Sequence, residues 1–171
     1  MKALTLALTL VLMLLAPGSA FSSTLCIFKN LTGRQDHLAE FERCTLEAAQ
    51  ENNISPGIIV ALKRTESSLR VAPDTINNNT DGSTDIGVMQ INYPLWKHEL
   101  WRMKKIELHR SDLKDICNSV HIAAYIVRWH LNRHGSLVEA VGWYHSGTPE
   151  LKESYQDRFM TQAEQVIKQC Q

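Results

Sequence analysis

Glu66 occupies the apolar side of a short amphipathic stretch. Ser55-Pro56 opens that stretch, and Ile59, Leu62, Glu66 and Leu69 recur through it at helical spacing, while Lys63, Arg64 and Ser67 fall elsewhere around the predicted helix. A carboxyl group held against apolar side chains keeps its proton near neutral pH and can then act as a general acid. Glu66 also lies near the C-terminal end of the predicted helix, where the helix dipole disfavours negative charge. Burial and dipole therefore push its pKa the same way, upwards. A plainer reading is a glutamate at the margin of the stripe, paired with a Lys or Arg, and periodicity alone leans towards it.

Two further segments shift that balance. Gly87-Val88-Met89-Gln90-Ile91-Asn92 offers a backbone that a ligand can approach closely, a soft apolar side chain and two amides able to bond sugar hydroxyls. A core strand with incidental polar residues is the alternative. Further on, Trp143-Tyr144-His145-Ser146-Gly147 could wall a pocket. Adjacent helical residues point about 100° apart, so one aromatic ring can pack inward while the other faces a cleft. Asp85 is a second candidate carboxylate, or else a turn residue accepting nearby backbone N–H groups. His130 and His134 stand one helical turn apart, but neither an HExxH pattern nor a nearby cysteine accompanies them, so no metal is expected, and no cofactor either. Lys104, Lys105 and Arg110 read as a solvated face, at most a minor aid against anionic glycans or lipids.

The elements that must position these groups are mostly helical. Asp36 is a candidate cap for a helix in which Leu38, Phe41, Cys44 and Ala48 share a face, ending at Asn52-Asn53. Ser55 caps the next helix, with Pro56 in its first position. Between Asp74 and Asp85 the chain is crowded with Asn, Thr, Asp and Gly, and Asp81-Gly82 signals a small hairpin. Helices follow from about Tyr93 to Lys104 and from about Leu113 to His134, the latter stopped by Gly135. Ser136-Leu137-Val138-Glu139 has capping-box spacing for a short helix into Trp143-Tyr144, and Pro149 to Lys168 carries Tyr155, Phe159, Val166 and Ile167. Residues 21–35 read as a loose lead-in tied down by Cys26. The polar hairpin lies between two helical halves, which is where a cleft would form.

Residues 1–20 have the pattern of a secretory signal: Lys2, the apolar run Leu4 to Leu15, then Pro17-Gly18-Ser19-Ala20. The remainder, 21–171, suits one domain with one core. Removing Lys2 from 18 basic and 18 acidic residues leaves the acids one ahead, which gives no support to nucleic-acid binding. No later stretch is long and apolar enough to insert stably in a membrane. Cys26, Cys44, Cys117 and Cys170 make an even count in an exported chain, which implies two disulfides with three pairings open.

Glu66-Ser67 in a helix, then Asp85-Ile86-Gly87-Val88-Met89-Gln90-Ile91-Asn92, then Tyr144-His145-Ser146-Gly147 resembles the lytic transglycosylase domain of the soluble lytic transglycosylase type. The likeness covers roughly Cys44 to Phe159 and is greatest for the small exported members that accompany conjugation and type III or type IV secretion. It implies an α+β, mostly helical, lysozyme-like fold with a small antiparallel β patch, and a periplasmic location. It implies Glu66 as sole acid/base, with Ser67, Met89, Gln90, Asn92, Tyr144 and His145 about the glycan. The commoner Tyr-Asn-Ala-Gly form of the last motif is replaced here by Tyr144-His145-Ser146-Gly147. The resemblance also implies pairing of Cys44 with Cys117, which leaves Cys26 for Cys170. The implied partners are peptidoglycan strands and a secretion or conjugation machine. The implied reaction is cleavage of the MurNAc-β-1,4-GlcNAc bond with 1,6-anhydro-MurNAc formation. The alternatives are a hydrolytic lysozyme of the same fold and a glycan-binding assembly protein without turnover.

Overall fold

The structure, a computed structural model, describes residues 25–171. The signal-peptide reading falls on residues 1–20 and lies outside them. Six helices carry the domain: α1 (Gln35–Glu51), α2 (Pro56–Ser67), α3 (Tyr93–Lys104), α4 (Ile116–His134), α5 (Leu137–His145) and α6 (Pro149–Lys168). Five of them close a circuit of packing, α1 on α4, α4 on α5, α5 on α6, α6 on α2 and α2 on α1. Residues such as Phe41, Ile58, Leu62, Ile126, Tyr155 and Phe159 fill its centre without exposure.

The α2 helix is the axis of this arrangement. Its start is as the sequence predicts: the Ser55 hydroxyl accepts from the Gly57 N–H at 3.3 Å, and Pro56 sits where no N–H is required. Every residue from Gly57 to Arg64 is buried, however, so the helix is enclosed all round rather than on one stripe. Lys63 and Arg64 are thus not on a wet outer face. The Lys63 ammonium gathers the carbonyls of Arg70 (2.6 Å), Ser68 (3.0 Å) and Ser67 (3.4 Å) past the helix end, and burial, helped by Arg64, lowers its pKa to about 8. Arg64 donates to the Lys29 carbonyl (3.0 Å) and the Gln169 side chain (2.9 Å), fastening both ends of the domain to its axis. Ser68, at φ 62° and ψ −152°, stops the helix, so Leu69 leaves the predicted stripe and is 39 % exposed.

A three-stranded antiparallel sheet of β3 (Ile76–Asn78), β4 (Thr84–Ile86) and β5 (Ile91–Asn92) sits between α2 and α3 in sequence. Its register sets Asn77 opposite Asp85 and Asp85 opposite Asn92. Asp81 is a turn residue, accepting the Ser83 N–H at 2.9 Å, and Gly82 takes φ +83°. The lead-in is more ordered than expected. After a 3-10 turn at Leu25–Phe28, β1 (Thr32–Gly33) pairs in parallel with β2 (Arg70–Val71).

Two helix starts and one capping bond differ from the sequence reading. Arg34, not Asp36, is the cap position of α1, and the two side chains pair at 2.6 Å. The α4 helix begins at Ile116, because Asp112–Lys114 forms a separate 3-10 turn and the Asp115 carboxylate accepts the Asn118 N–H at 2.8 Å. Ser136 makes no side-chain cap bond, since Glu139 turns instead to Lys152 at 2.9 Å. Gly135 does end α4, at φ +71°. Two disulfides, Cys26–Cys170 and Cys44–Cys117, join the ends of the domain and α1 to α4. No helix among the described residues is long and apolar enough to cross a membrane.

Candidate active site

Glu66 stands in the last turn of α2, partly exposed where the helix meets the sheet. Tyr155, fully buried on α6, donates its hydroxyl to Glu66 Oε1 at 2.5 Å. Burial dominates the electrostatics and lifts the Glu66 pKa to about 8; the Tyr155 bond pulls down, Asp85 pushes up and Arg158 pulls down. Glu66 has no Lys or Arg salt-bridge partner among the described residues, and its two cationic neighbours in sequence bind carbonyls instead. With Oε1 occupied by the phenol, Oε2 is left to carry the proton that the carboxyl retains at neutral pH. Such a group can protonate a leaving oxygen and later recover the proton.

The loop from β4 to β5 forms the opposite side. Gly87 has φ +80°, and a β-carbon there would lie 1.8 Å from the Leu113 carbonyl oxygen, so the chain passes only as glycine. Ser67 ties this loop to the turn that carries Glu66, donating to the Val88 carbonyl at 3.0 Å. Met89 is fully buried and offers its carbonyl, not its side chain, to the Tyr144 hydroxyl at 2.8 Å. Gln90, at φ +47°, is 6 % exposed; its amide donates to the Gly87 carbonyl (2.7 Å) and accepts from Asn77 (2.5 Å). The side chains of Met89 and Gln90 therefore shape the loop from within, where the sequence reading put them against the ligand. Asn92 is likewise engaged, capping α3 through the Leu95 N–H (3.2 Å) and donating to Asp85 (3.1 Å). Asp85 is held by two side-chain amides, Asn92 and Asn79 (3.0 Å), rather than by backbone N–H groups.

Tyr144 and Trp143 divide as helix geometry requires. Tyr144 is 8 % exposed, and burial, with Glu66 and Asp85 nearby, raises its pKa well above the ordinary phenol value. Trp143 is 37 % exposed and lies parallel to His134, ring centres 5.0 Å apart. With Trp129, Trp96, Arg133 and Leu95 they line an open cavity of about 500 Å³. His145 lines this cavity and stacks at 4.5 Å on Tyr155, the hydrogen-bond partner of Glu66. His130 and His134 stack at 5.7 Å within the same wall.

A buried acid, a phenol fixing it and an adjoining aromatic trough now stand together, and the same stretch of chain matches a known domain: residues 43–167 fit the family model "Transglycosylase SLT domain". The chain belongs to the transglycosylase SLT family. It is similar to "Invasion protein IagB" of Salmonella typhimurium, 34% identical over 117 residues, covering 68% of this chain and 69% of the relative. It is also similar to "Protein IpgF" of Shigella flexneri, 31% identical over 131 residues, 75% and 76% of the two chains. SLT-domain proteins are lytic transglycosylases acting on peptidoglycan, so this chain is an enzyme of that class.

Within this SLT domain one site residue escaped the sequence reading. Tyr155 reads as core because it shares a helical stripe with Phe159. The available signal was chemical: a buried tyrosine must find a partner for its hydroxyl. Tyr155→Phe is expected to lower kcat about threefold to tenfold, the value of one lost hydrogen bond. Because the Tyr155 bond lowers the Glu66 pKa, its loss shifts the alkaline limb of the pH–rate profile to higher pH. An unmoved limb would separate Tyr155 from the acid.

Proposed function

We propose that the chain cleaves the MurNAc-β-1,4-GlcNAc bond without water, using Glu66 for both proton transfers. Protonated Glu66 donates to the glycosidic oxygen as the bond from MurNAc C1 to that oxygen breaks. The developing oxocarbenium charge is stabilised in part by the substrate's own N-acetyl oxygen. The carboxylate then takes the proton from the C6 hydroxyl as O6 bonds to C1, closing the 1,6-anhydro ring and restoring the acid. Ordinary glycosidases divide these roles between two carboxylates. The observation that carries the reading is a single carboxyl with its pKa lifted to about 8 and one oxygen held by Tyr155. The Trp143–His134 surface supplies a flat apolar face for a pyranose ring, and Tyr144 braces the loop opposite the acid.

A second reading is favoured by Asp85, which Asn79 and Asn92 hold within electrostatic reach of Glu66. A fixed second carboxylate is what a hydrolytic lysozyme would use. Mass spectrometry of digested sacculi separates the two. Anhydromuropeptides are the expected products; reducing ends alone would overturn the transglycosylase chemistry and favour the hydrolase.

The two disulfides fit an oxidising compartment, and with the signal-like residues 1–20 they support a periplasmic enzyme. The resemblance to small exported members that accompany secretion and conjugation supports local opening of the wall for such an apparatus, and one relative is named "Invasion protein". If that is the role, a strain lacking the gene regains secretion from the wild-type copy but not from Glu66→Gln.

A further inference from the structure

The α3 helix is unlike the others. It buries only Trp96 and Leu100, and the segment from Tyr93 to Arg110 holds five basic residues (Lys97, Arg102, Lys104, Lys105, Arg110) against two acidic ones (Glu99, Glu107). The whole chain has 18 of each, so the rest of the chain taken together carries more acids than bases. Glu99 is already paired with Arg102 at 2.6 Å. Lys97, Lys105 and Arg110 have no carboxylate partner among the described residues. Instead they rest on aromatic faces, Lys97 and Arg110 at 5.5 and 5.3 Å from the Tyr93 ring centre and Lys105 at 5.5 Å from that of Trp101. Trp101 is 54% exposed and Ile106, just past the helix end, 51%. Pro94, Lys97, His98, Trp101 and Glu107 flank a shallow groove of about 410 Å³.

From this we infer that the Lys97–Trp101 side of α3 is a docking surface for an anionic phospholipid bilayer; the Leu95–Trp96 side of the same helix lines the aromatic cavity. The charge excess is complementary to anionic headgroups, and a half-exposed indole ringed by lysine and arginine is the composition found at membrane–water boundaries. Arginine and lysine stems lie along apolar surface while their charges stay in water, as the ring contacts here already show. The contact is peripheral: no element inserts, and the cations hold the domain against the surface while Trp101 and Ile106 enter the headgroup layer. Glu66, Tyr144 and Tyr155 all lie on other helices, so the lipid contact and the proton transfers use different parts of the chain.

Co-sedimentation of the mature protein with phosphatidylcholine vesicles, with and without phosphatidylglycerol, tests this. Binding is expected only to the anionic vesicles and is expected to fall with added salt. A triple variant, Lys97→Gln, Lys105→Gln and Arg110→Gln, is expected to partition about a hundredfold more weakly while digesting soluble glycan at the parent rate. The charge-conserving set Lys97→Arg, Lys105→Arg and Arg110→Lys should still bind. Equal binding to both vesicle types, binding indifferent to the triple substitution, or retention by a protein partner with none by vesicles would overturn the lipid assignment. Anionic-vesicle binding does not depend on catalysis, so it can succeed or fail independently of the anhydro-product result.

Discussion

Glu66→Gln lowers kcat by at least about a thousandfold while leaving glycan affinity and fold intact. In the proposed mechanism one residue would serve two proton transfers, each worth about a hundredfold to ten-thousandfold when a side chain performs it. The amide is isosteric, and its oxygen can still accept from Tyr155, so the 2.5 Å contact survives in kind. Single-turnover digestion of purified glycan strands, with circular dichroism as the fold check, measures this. A residual rate within tenfold of the parent would remove Glu66 from the chemistry. The same substitution has a thermodynamic signature. Glu66 titrates near 4.5 when free and near 8 in the folded chain. Between those values the folded state holds a proton that the unfolded state has released. The group's favourable contribution is thus complete below about pH 4.5 and lost as the pH rises through about 8. The Glu66→Gln protein escapes that loss. It should gain on the parent across this window, by on the order of 3 kcal/mol above it, a figure reduced for the carboxyl's partial exposure. Parallel melting curves at acid and alkaline pH would show that the acid is not strained by burial. The parent's own activity should decline above about pH 8, as the donor loses its proton.

Reduction of both disulfides is expected to lower the melting temperature by about 8–30 °C. Each bridge typically contributes about 2–4 kcal/mol, chiefly by restricting the unfolded chain, and in a domain of this size each kcal/mol is worth about 2–4 °C. Cys26–Cys170 spans 144 residues and Cys44–Cys117 spans 73. The longer loop is about twice the shorter, which predicts only about 0.6 kcal/mol more from the terminal bridge. Paired serine substitutions followed by calorimetry would measure both, and a melting curve indifferent to reductant would deny the bridges any part in stability.

Local signals made most of the helices legible. Ser55-Pro56 marked the start of α2, Gly135 the end of α4, and Asp81-Gly82 the hairpin, because each of those residues has a backbone preference that needs no tertiary partner. What escaped depended on distant chain. Lys63 and Arg64 read only as residues off the apolar stripe, since nothing local reveals carbonyls from residues 27–29 and 67–70 waiting to accept them. The motif Gly87 to Asn92 was recognised, yet the direction of its amides was not. Gln90 turns inward because Asn77, across the hairpin, and the Gly87 carbonyl satisfy it there. Helical spacing placed Glu66 on the apolar stripe but by itself leaned towards a plain marginal glutamate, and its hydrogen-bond partner, Tyr155, lies 89 residues away on a stripe indistinguishable from core packing.

The Cys26–Cys170 bridge also bears on mechanical load. Its two Cα atoms are 5.2 Å apart, so tension applied through residues before 26 and beyond 170 runs across one covalent link and bypasses the folded domain. An enzyme dragged by a moving assembly or caught in a taut polymer mesh would keep its helices in register under such a pull, and stretching a single molecule by its ends should yield almost no unfolding extension until the sulfur–sulfur bond is cut.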